Sequence, residues 1–281
     1  MQGELGAWAG MHKKDHIMAA AQDTRRKSED GLWETVKVIL QALLIAFFVR
    51  SFLYQPFNIP SASMYPTLRV GDYLFVSKLS YGYSKYSFNF SLSGFGRKIE
   101  CCPINFPGRV VLADTPKRGD VAVFKKPHEE DTDYIKRVIG LPGDRIQMRD
   151  GVLYINGAAV KKERIEDFYD SAGNWGGDAP VPQYIETLPN GVKYRVLDIN
   201  PNGSADNTQE YLVPADHYFM MGDNRDNSSD SRFLNDVGYV PIENYVGRAD
   251  IIFFSISPDA TLWKVWQWPF DIRWSRFLNL I

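Results

Sequence analysis

The sequence predicts a mainly β, antiparallel domain behind a single N-terminal apolar helix, on three observations. A charge-free run suited to a helix across a bilayer lies near the start; short apolar or alternating segments fill much of the remainder; and turn formers separate those segments at close intervals. At 281 residues the chain has room for one or two domains with a real core. Hydrophobic residues at 44% and charged residues at 23% are ordinary globular values, which excludes wholesale disorder and a multi-span transporter. Lysine plus arginine number 32 against 34 aspartates plus glutamates, so the basic excess with which a nucleic-acid binder displaces counterions is missing.

The first element is the apolar run. Residues 38–49 carry no charge, and the wider stretch from Val36 to Tyr54 is broken only by Lys37, Gln41, Arg50 and Ser51. As a helix it measures about 28 Å, close to the roughly 30 Å of a hydrocarbon core. Lys37 and Arg50 near its ends have stems that can snorkel, and Trp33 and Tyr54 flank it as interfacial aromatics. A buried core helix is the competing reading. A cleaved signal peptide fits worse, because a long polar tail precedes the run and no Ala-X-Ala follows it. Arg25, Arg26, Lys27 and Lys37 precede the run against Arg50 and Arg69 after it, which predicts an N-terminus inside the cell. The expected division is a cytoplasmic tail over 1–32, a transmembrane helix over 33–54 and an extracytoplasmic domain over 55–281.

Strand-like segments follow in order: Tyr73–Val76, Asp120–Phe124, Tyr134–Ile139, Arg145–Met148, Val152–Ile155, Lys193–Leu197, Glu210–Val213, Tyr218–Met221 and Ala249–Ile256. Turn formers such as Gly71-Asp72, Pro142-Gly143-Asp144, Asp150-Gly151 and Asn190-Gly191 punctuate them. Val152 to Val160, with Asn156-Gly157 at its centre, carries the strongest hairpin signal. Residues 80–113 lack periodicity and read as a long surface loop. Residues 161–208 read as part of an excursion from the core sheet, an inserted cap region spanning about 145–215. The segment 260–281 holds four of the seven tryptophans, Trp263, Trp266, Trp268 and Trp274, with Lys264, Arg273 and Arg276 among them. It suits either a lipid headgroup region or packing on the sheet.

Chemistry has few candidates. The two cysteines, Cys101 and Cys102, are adjacent, and the four histidines are scattered, so neither a metal-ligand spacing nor a cofactor motif is present. Three units remain. Pro60-Ser61-Ala62-Ser63-Met64-Tyr65-Pro66-Thr67-Leu68 places two serines between rigid prolines, a pattern that by itself is a plain loop. A hydrolytic serine needs a base, and no histidine lies in a suitable stretch. Asp133-Tyr134-Ile135-Lys136-Arg137-Val138-Ile139 sets a lysine in the most apolar strand, with Tyr134 and Lys136 on one face and Ile135 on the other. Burial would let that lysine be neutral, although on pattern alone a solvent-facing lysine is the commoner case. The third unit, Gly222 to Arg232, is a polar loop after the Tyr218–Met221 strand. Its two arginines and lack of a terminal glutamate argue against an EF-hand-like calcium loop.

Together with Gly71-Asp72-Tyr73-Leu74-Phe75-Val76 and Arg118-Gly119-Asp120-Val121-Ala122-Val123-Phe124, these units resemble the boxes of bacterial type I signal peptidases in identity, order and spacing, from about Phe57 to Arg248. The resemblance implies a signal-peptidase-like β domain and a Ser/Lys-dyad endopeptidase that removes signal peptides from preproteins after Ala-X-Ala-type sites, with no cofactor and no metal. It makes Ser63 the nucleophile and Lys136 the general base. Ser61 and the backbone N–H of Ser63 become the oxyanion hole, Ser228 orients the lysine, and Asp230 and Arg232 form a supporting ion pair. Phe57, Ile59, Met64, Leu68, Tyr134 and Ile135 would surround two shallow pockets, with Asp133 beside them at the substrate. The implied location is the bacterial inner membrane, and the implied partners are preprotein signal peptides, the lipid bilayer and the secretion translocon. Enterobacterial members have two spans and a cysteine pair further along, so anchor number and disulfide status do not carry over. A specialised Ser/Lys processing peptidase of a conjugation or secretion system, and a membrane-tethered β domain that only binds partners, are the alternatives.

Overall fold

The computed structural model describes residues 33–86, 90–94, 97–101, 114–170, 179–200, 202–260, 263–264 and 266–281. The chain divides into two compact units, 1–49 and 50–281. The apolar run forms one helix, α1 (Trp33–Leu53), whose last turn from Val49 is a π-turn. At 21 residues it is about 31 Å long, and it is the one helix among the described residues long and apolar enough to cross a membrane. Lys37 lies over the Trp33 ring near its start. The tail over 1–32 lies outside the described residues.

The first strand follows directly on Leu53. β1 (Tyr54–Asn58) pairs antiparallel with β2 (Asp72–Ser77). Pro56 hides this strand in the sequence, because proline cannot donate to a ladder; the sheet accommodates it by placing β1 at an edge. A short hairpin, β3 (Phe90–Gly94) with β4 (Arg97–Cys101), follows. The expected long surface loop over 80–113 is thus corrected twice. Residues 90–94 and 97–101 pair as strands, and Tyr81, Ser84 and Tyr86 are buried, with the Tyr81 hydroxyl donating to Asp120 at 2.9 Å and its ring edge-on to Tyr245. Tyrosines with a polar tip can enter a core where aperiodic polar neighbours suggest none. Cys102 lies outside the described residues.

β5 (Val121–Lys126) and β6 (Glu129–Gly140) form the central antiparallel pair. Alternation along β5 sends Val121 and Val123 into one apolar cluster and Ala122 and Phe124 into another, so this strand is buried on both faces. The next strands leave the main sheet. β7 (Arg145–Arg149), β8 (Val152–Ile155) and β9 (Ala158–Ala159) meander, and the predicted Asn156-Gly157 turn carries φ of 54° and 80°, the left-handed pair that a two-residue hairpin demands. β10 (Lys161–Arg164), β11 (Gln183–Thr187) and β12 (Lys193–Leu197) make a three-stranded sheet inside the expected excursion. β13 (Tyr211–Leu212) returns to β7.

The chain then re-enters the main sheet with β14 (His217–Met221), β15 (Val240–Pro241), β16 (Tyr245–Ser255) and β17 (Asn279–Leu280). The order across that eight-stranded sheet is β1-β2-β16-β5-β6-β14-β15, with β17 added on β16. Every predicted strand is present, several of them longer than their apolar cores.

The C-terminal segment contains one short helix, α2 (Trp268–Asp271). Trp263 and Trp266 are exposed, and Trp274, also largely exposed, stacks on Phe277, which meets Phe254 of β16 edge-on. Arg273 and Arg276, which the sequence left open to a headgroup or a sheet contact, turn inward. Arg276 grips the fully buried Asp72 carboxylate at 2.9 and 2.5 Å and also donates to Thr67 O, while Arg273 donates to Val70 O. Ser255 completes the Asp72 shell at 2.6 Å. A buried carboxylate leaves two arginines uncompensated when removed. Asp72→Ala is therefore expected to lower the unfolding free energy of the full chain in detergent by about 3–5 kcal/mol, measured by denaturant titration.

Candidate active site

Ser63 lies in the short 3-10 turn Ala62–Met64 between β1 and β2. Ile59, Met64 and Leu68, buried in the apolar cluster shared with Leu74 and Val123, pin both sides of that turn. Lys136 projects from β6, and the strand's alternation decides its surroundings: Tyr134 and Val138 pack in one cluster and Ile135 in the other. Its ammonium nitrogen stands 5.1 Å from the centre of the Tyr134 ring. At 3% exposure the solvent-facing alternative is overturned.

Lys136 Nζ and Ser63 Oγ are 2.8 Å apart, and Nζ also donates to Ile135 O at 3.0 Å. Burial pushes the lysine down from 10.5 to about 8; Asp230 and Asp223 pull it back up, and Arg232 lowers it further. A neutral amine is thus accessible near physiological pH, hydrogen-bonded to a serine hydroxyl. Ser61 Oγ lies 3.3 Å from Ser63 Oγ at the open side.

The loop Gly222–Arg232 closes the site from beneath. Asn224 N donates to Ser63 O at 3.1 Å and Asn224 Nδ2 to Ala62 O at 3.0 Å, so this loop holds the Ala62–Met64 turn by its backbone. Gly222 is required by close approach: a Cβ there would lie 2.2 Å from Ser228 Oγ and 2.6 Å from Ser63 O. Arg232 and Asp230 form the expected pair, bidentate at 2.8 and 2.9 Å, with Gly222 N adding a third bond to Asp230. Burial pushes the Asp230 carboxyl up, but the Arg232 charge and hydrogen bonds overcome it and hold the group below its ordinary range. Ser228 Oγ is buried without a partner at hydrogen-bond geometry, though near enough to Asp230 to help lower it. The orienting bond expected from Ser228 to Lys136 is not formed; Ile135 O takes that place.

Two further buried ion pairs escaped sequence reasoning. Arg137, next to the lysine, binds Asp223 at 2.8 and 2.6 Å, and Thr67 Oγ1 donates to the same carboxylate. Arg225 binds Glu186 at 2.7 and 2.5 Å. The first pair lay within the quoted motifs, but the second joins the loop to a strand of the excursion and left no local signal.

An open groove of about 350 Å³ leads to the dyad, lined by Ser61, Ser63, Lys136, Asp133, Tyr134 and Ile135, with Asn227 and Ser229 opposite. Of the predicted substrate residues, Asp133, Tyr134 and Ile135 thus face it. Ile59, Met64 and Leu68 lie in the apolar cluster, with Phe57 half-buried against it. Asp133 is exposed and pairs with Lys125 at 3.0 Å. One set of carboxylates among the described residues, Asp198, Asp206 and Asp226, comes within 4.8 Å, close enough for a cation; Asp198 there already pairs with Lys162.

The profile of the family described as signal peptidase, peptidase S26, matches residues 32–254. The chain is 38% identical to signal peptidase I of Rickettsia massiliae (strain Mtu5) over 236 residues, covering 82% of this chain and 80% of that protein. It is 35% identical to signal peptidase I of Rickettsia bellii (strain OSU 85-389), covering 95% and 91%. A crystal structure of a signal peptidase I from Enterococcus faecalis V583 aligns with 48% of this chain and 97% of that one at 25% identity and a TM-score of 0.29.

Two outcomes follow from the geometry. Gly222→Ala is expected to abolish turnover of any hydrolysable substrate, because the methyl must displace Ser228 and the Ser63 carbonyl; a peptide-cleavage assay on folded protein checks it. Below pH 8 the folded chain must charge a buried lysine, whereas between 8 and 10.5 only the unfolded chain binds that proton. Lys136→Met is therefore expected to be more stable than the wild type by about 3 kcal/mol below pH 8, an advantage that shrinks as pH rises to 10.5, in unfolding titrations at several pH values.

Proposed function

The chain belongs to the signal peptidase family, peptidase S26, and from this we propose that it cleaves signal peptides from preproteins with Ser63 as nucleophile and Lys136 as general base. The observation that carries the dyad is the 2.8 Å separation of Lys136 Nζ and Ser63 Oγ at a lysine whose burial favours the neutral form. The neutral amine takes the hydroxyl proton as Oγ attacks the scissile carbonyl. The resulting oxyanion is met by the Ser63 N–H and the Ser61 hydroxyl. Lys136, now protonated, returns the proton to the leaving amine, and the acyl-enzyme forms. A water deprotonated by the same lysine then releases the signal peptide. Asp230, held by Arg232, supports this cycle by fixing Gly222 of the loop, with Ser228 packed beside that glycine.

Substrate choice follows from the walls. Tyr134 and Ile135 face the groove, whereas Met64 and Leu68 are fully buried in the apolar cluster that holds the Ser63 turn. A methylene is worth only about 1–3 kcal/mol in an apolar pocket, so selection for small residues before the cut must come from steric exclusion. Asp133 lines the same groove, while Phe57 is half-buried against the cluster that contains Ile59.

The enzyme is anchored by α1. The excess of Arg25, Arg26, Lys27 and Lys37 over Arg50 and Arg69 supports an N-terminus in the cytoplasm and a catalytic domain outside it. Ser63 is nine residues beyond Tyr54, at most about 30 Å of chain, which keeps cleavage close to the bilayer in which a signal peptide lodges.

Ser63→Ala and Lys136→Ala are each expected to abolish cleavage of a preprotein with an Ala-X-Ala site, and Ser61→Ala to slow it by about 10²–10³-fold, in an assay with the full chain in detergent. Processing at the wild-type rate by either dyad variant would sink the assignment. The wild-type rate is expected to climb with pH through a midpoint near 8, because the base is the unprotonated lysine.

A further inference from the structure

The three-stranded sheet β10–β12 touches both supports of the dyad through two buried side chains. Glu186 on β11 and Tyr194 on β12 are direct cross-strand partners. The Tyr194 hydroxyl donates to Glu186 at 2.6 Å and accepts from Arg225 at 3.1 Å, while both Glu186 oxygens accept from Arg225. The face of the Tyr194 ring carries the Arg137 guanidinium at 4.4 Å, so one residue of the insertion touches the loop arginine and the neighbour of Lys136. Backbone bonds repeat the connection. Leu197 N donates to Asp223 O and Arg225 N to Leu197 O, both at 2.9 Å, and Asp226 accepts from Ile199 N and Asn200 N.

We propose that the inserted sheet positions the dyad, with Glu186 and Tyr194 as positioning residues that fix Arg225 of the catalytic loop and Arg137 of the lysine strand. The loop they fix supplies Asn224, which holds the carbonyls of Ala62 and Ser63, so a shift of the loop displaces the nucleophile from the lysine. Stability alone does not account for the cluster. Apolar residues of similar volume often replace a buried ion pair at no cost, whereas a bidentate arginine–carboxylate pair dictates position and angle. Apolar contact is already present on this sheet, where Leu188 and Val196 enter the core. Catalysis is the step that needs the angle, since a displacement of about 1 Å can cost roughly 10²-fold in rate.

The inference rests on the Ser63/Lys136 reading, and the experiment separates the two. The full chain is assayed in detergent with an Ala-X-Ala preprotein, and turnover is normalised to folded protein by near-ultraviolet circular dichroism. Glu186→Gln is expected to lower kcat by roughly 10- to 100-fold with KM changed by less than about threefold. It is also expected to move the midpoint of the rate–pH profile to lower pH. Arg225, stripped of its counter-charge, adds to the positive field of Arg232 on Lys136, against Asp230 and Asp223. Glu163→Gln, an exposed carboxylate on the same sheet, is expected to leave both unchanged. A kcat per folded molecule and a midpoint equal to wild type in Glu186→Gln would overturn the proposal. Should that variant fail to fold, the double variant Glu186→Leu/Arg225→Met, which buries no unpaired charge, is expected to fold and remain slow; wild-type turnover there would overturn the proposal equally. Activity in Lys136→Ala would instead overturn the dyad reading itself.

Discussion

A lysine must be kept out of water beside a serine, and most of the structure around the site answers that constraint. An amine in water is protonated at neutral pH and cannot act as a base. Desolvation on β6 supplies the correction, and it holds only while the strand stays buried on both faces and the Ser63 turn covers the amine. The antiparallel sheet does this by placing β6 between β5 and β14, away from any edge. Apolar packing lowers the lysine, and the 3-10 turn between β1 and β2 delivers the hydroxyl to it.

Burial alone would lower the Lys136 amine further. The flanking carboxylates Asp230 and Asp223 counter it, and each is itself paired with an arginine, Arg232 and Arg137. The result is a nearly neutral ionic layer beneath the dyad that trims the local field while fixing geometry through bidentate bonds. Glu186 and Arg225 extend this layer into the inserted sheet. At the other end of the nucleophile loop, Arg276 and Arg273 draw the C-terminal segment onto Asp72 and Thr67. The Ser63 turn is therefore held from several sides by charge, in a region where apolar contacts alone would leave orientation free.

Much of this was legible in the chain. The strands of the core sheet announced themselves by apolar alternation, and Asn156-Gly157 marked its hairpin, because these signals are local and of short period. Ser63, Lys136, Asp230 and Arg232 were legible because they stand in compact motifs. β1 was hidden by Pro56, a residue that only an edge position excuses, and the buried tyrosines of 81–86 were hidden in a polar, aperiodic stretch. Arg273 and Arg276 could be read as surface cations because Asp72, their buried partner, is about two hundred residues away in sequence.

The sequence by itself determined an apolar helix of spanning length, a β-rich domain, and a serine and a lysine in boxes that resemble those of a peptidase family. These follow from periodicity, composition and motif, all of which are read along the chain. Only the tertiary structure decided that Lys136 is buried and not solvent-facing, that its second bond goes to Ile135 O and not to Ser228, and that Glu186 of the insertion pairs with Arg225 of the catalytic loop. Each of these is a matter of distance or desolvation between residues far apart in sequence, and a pKa is set by what surrounds a group in space.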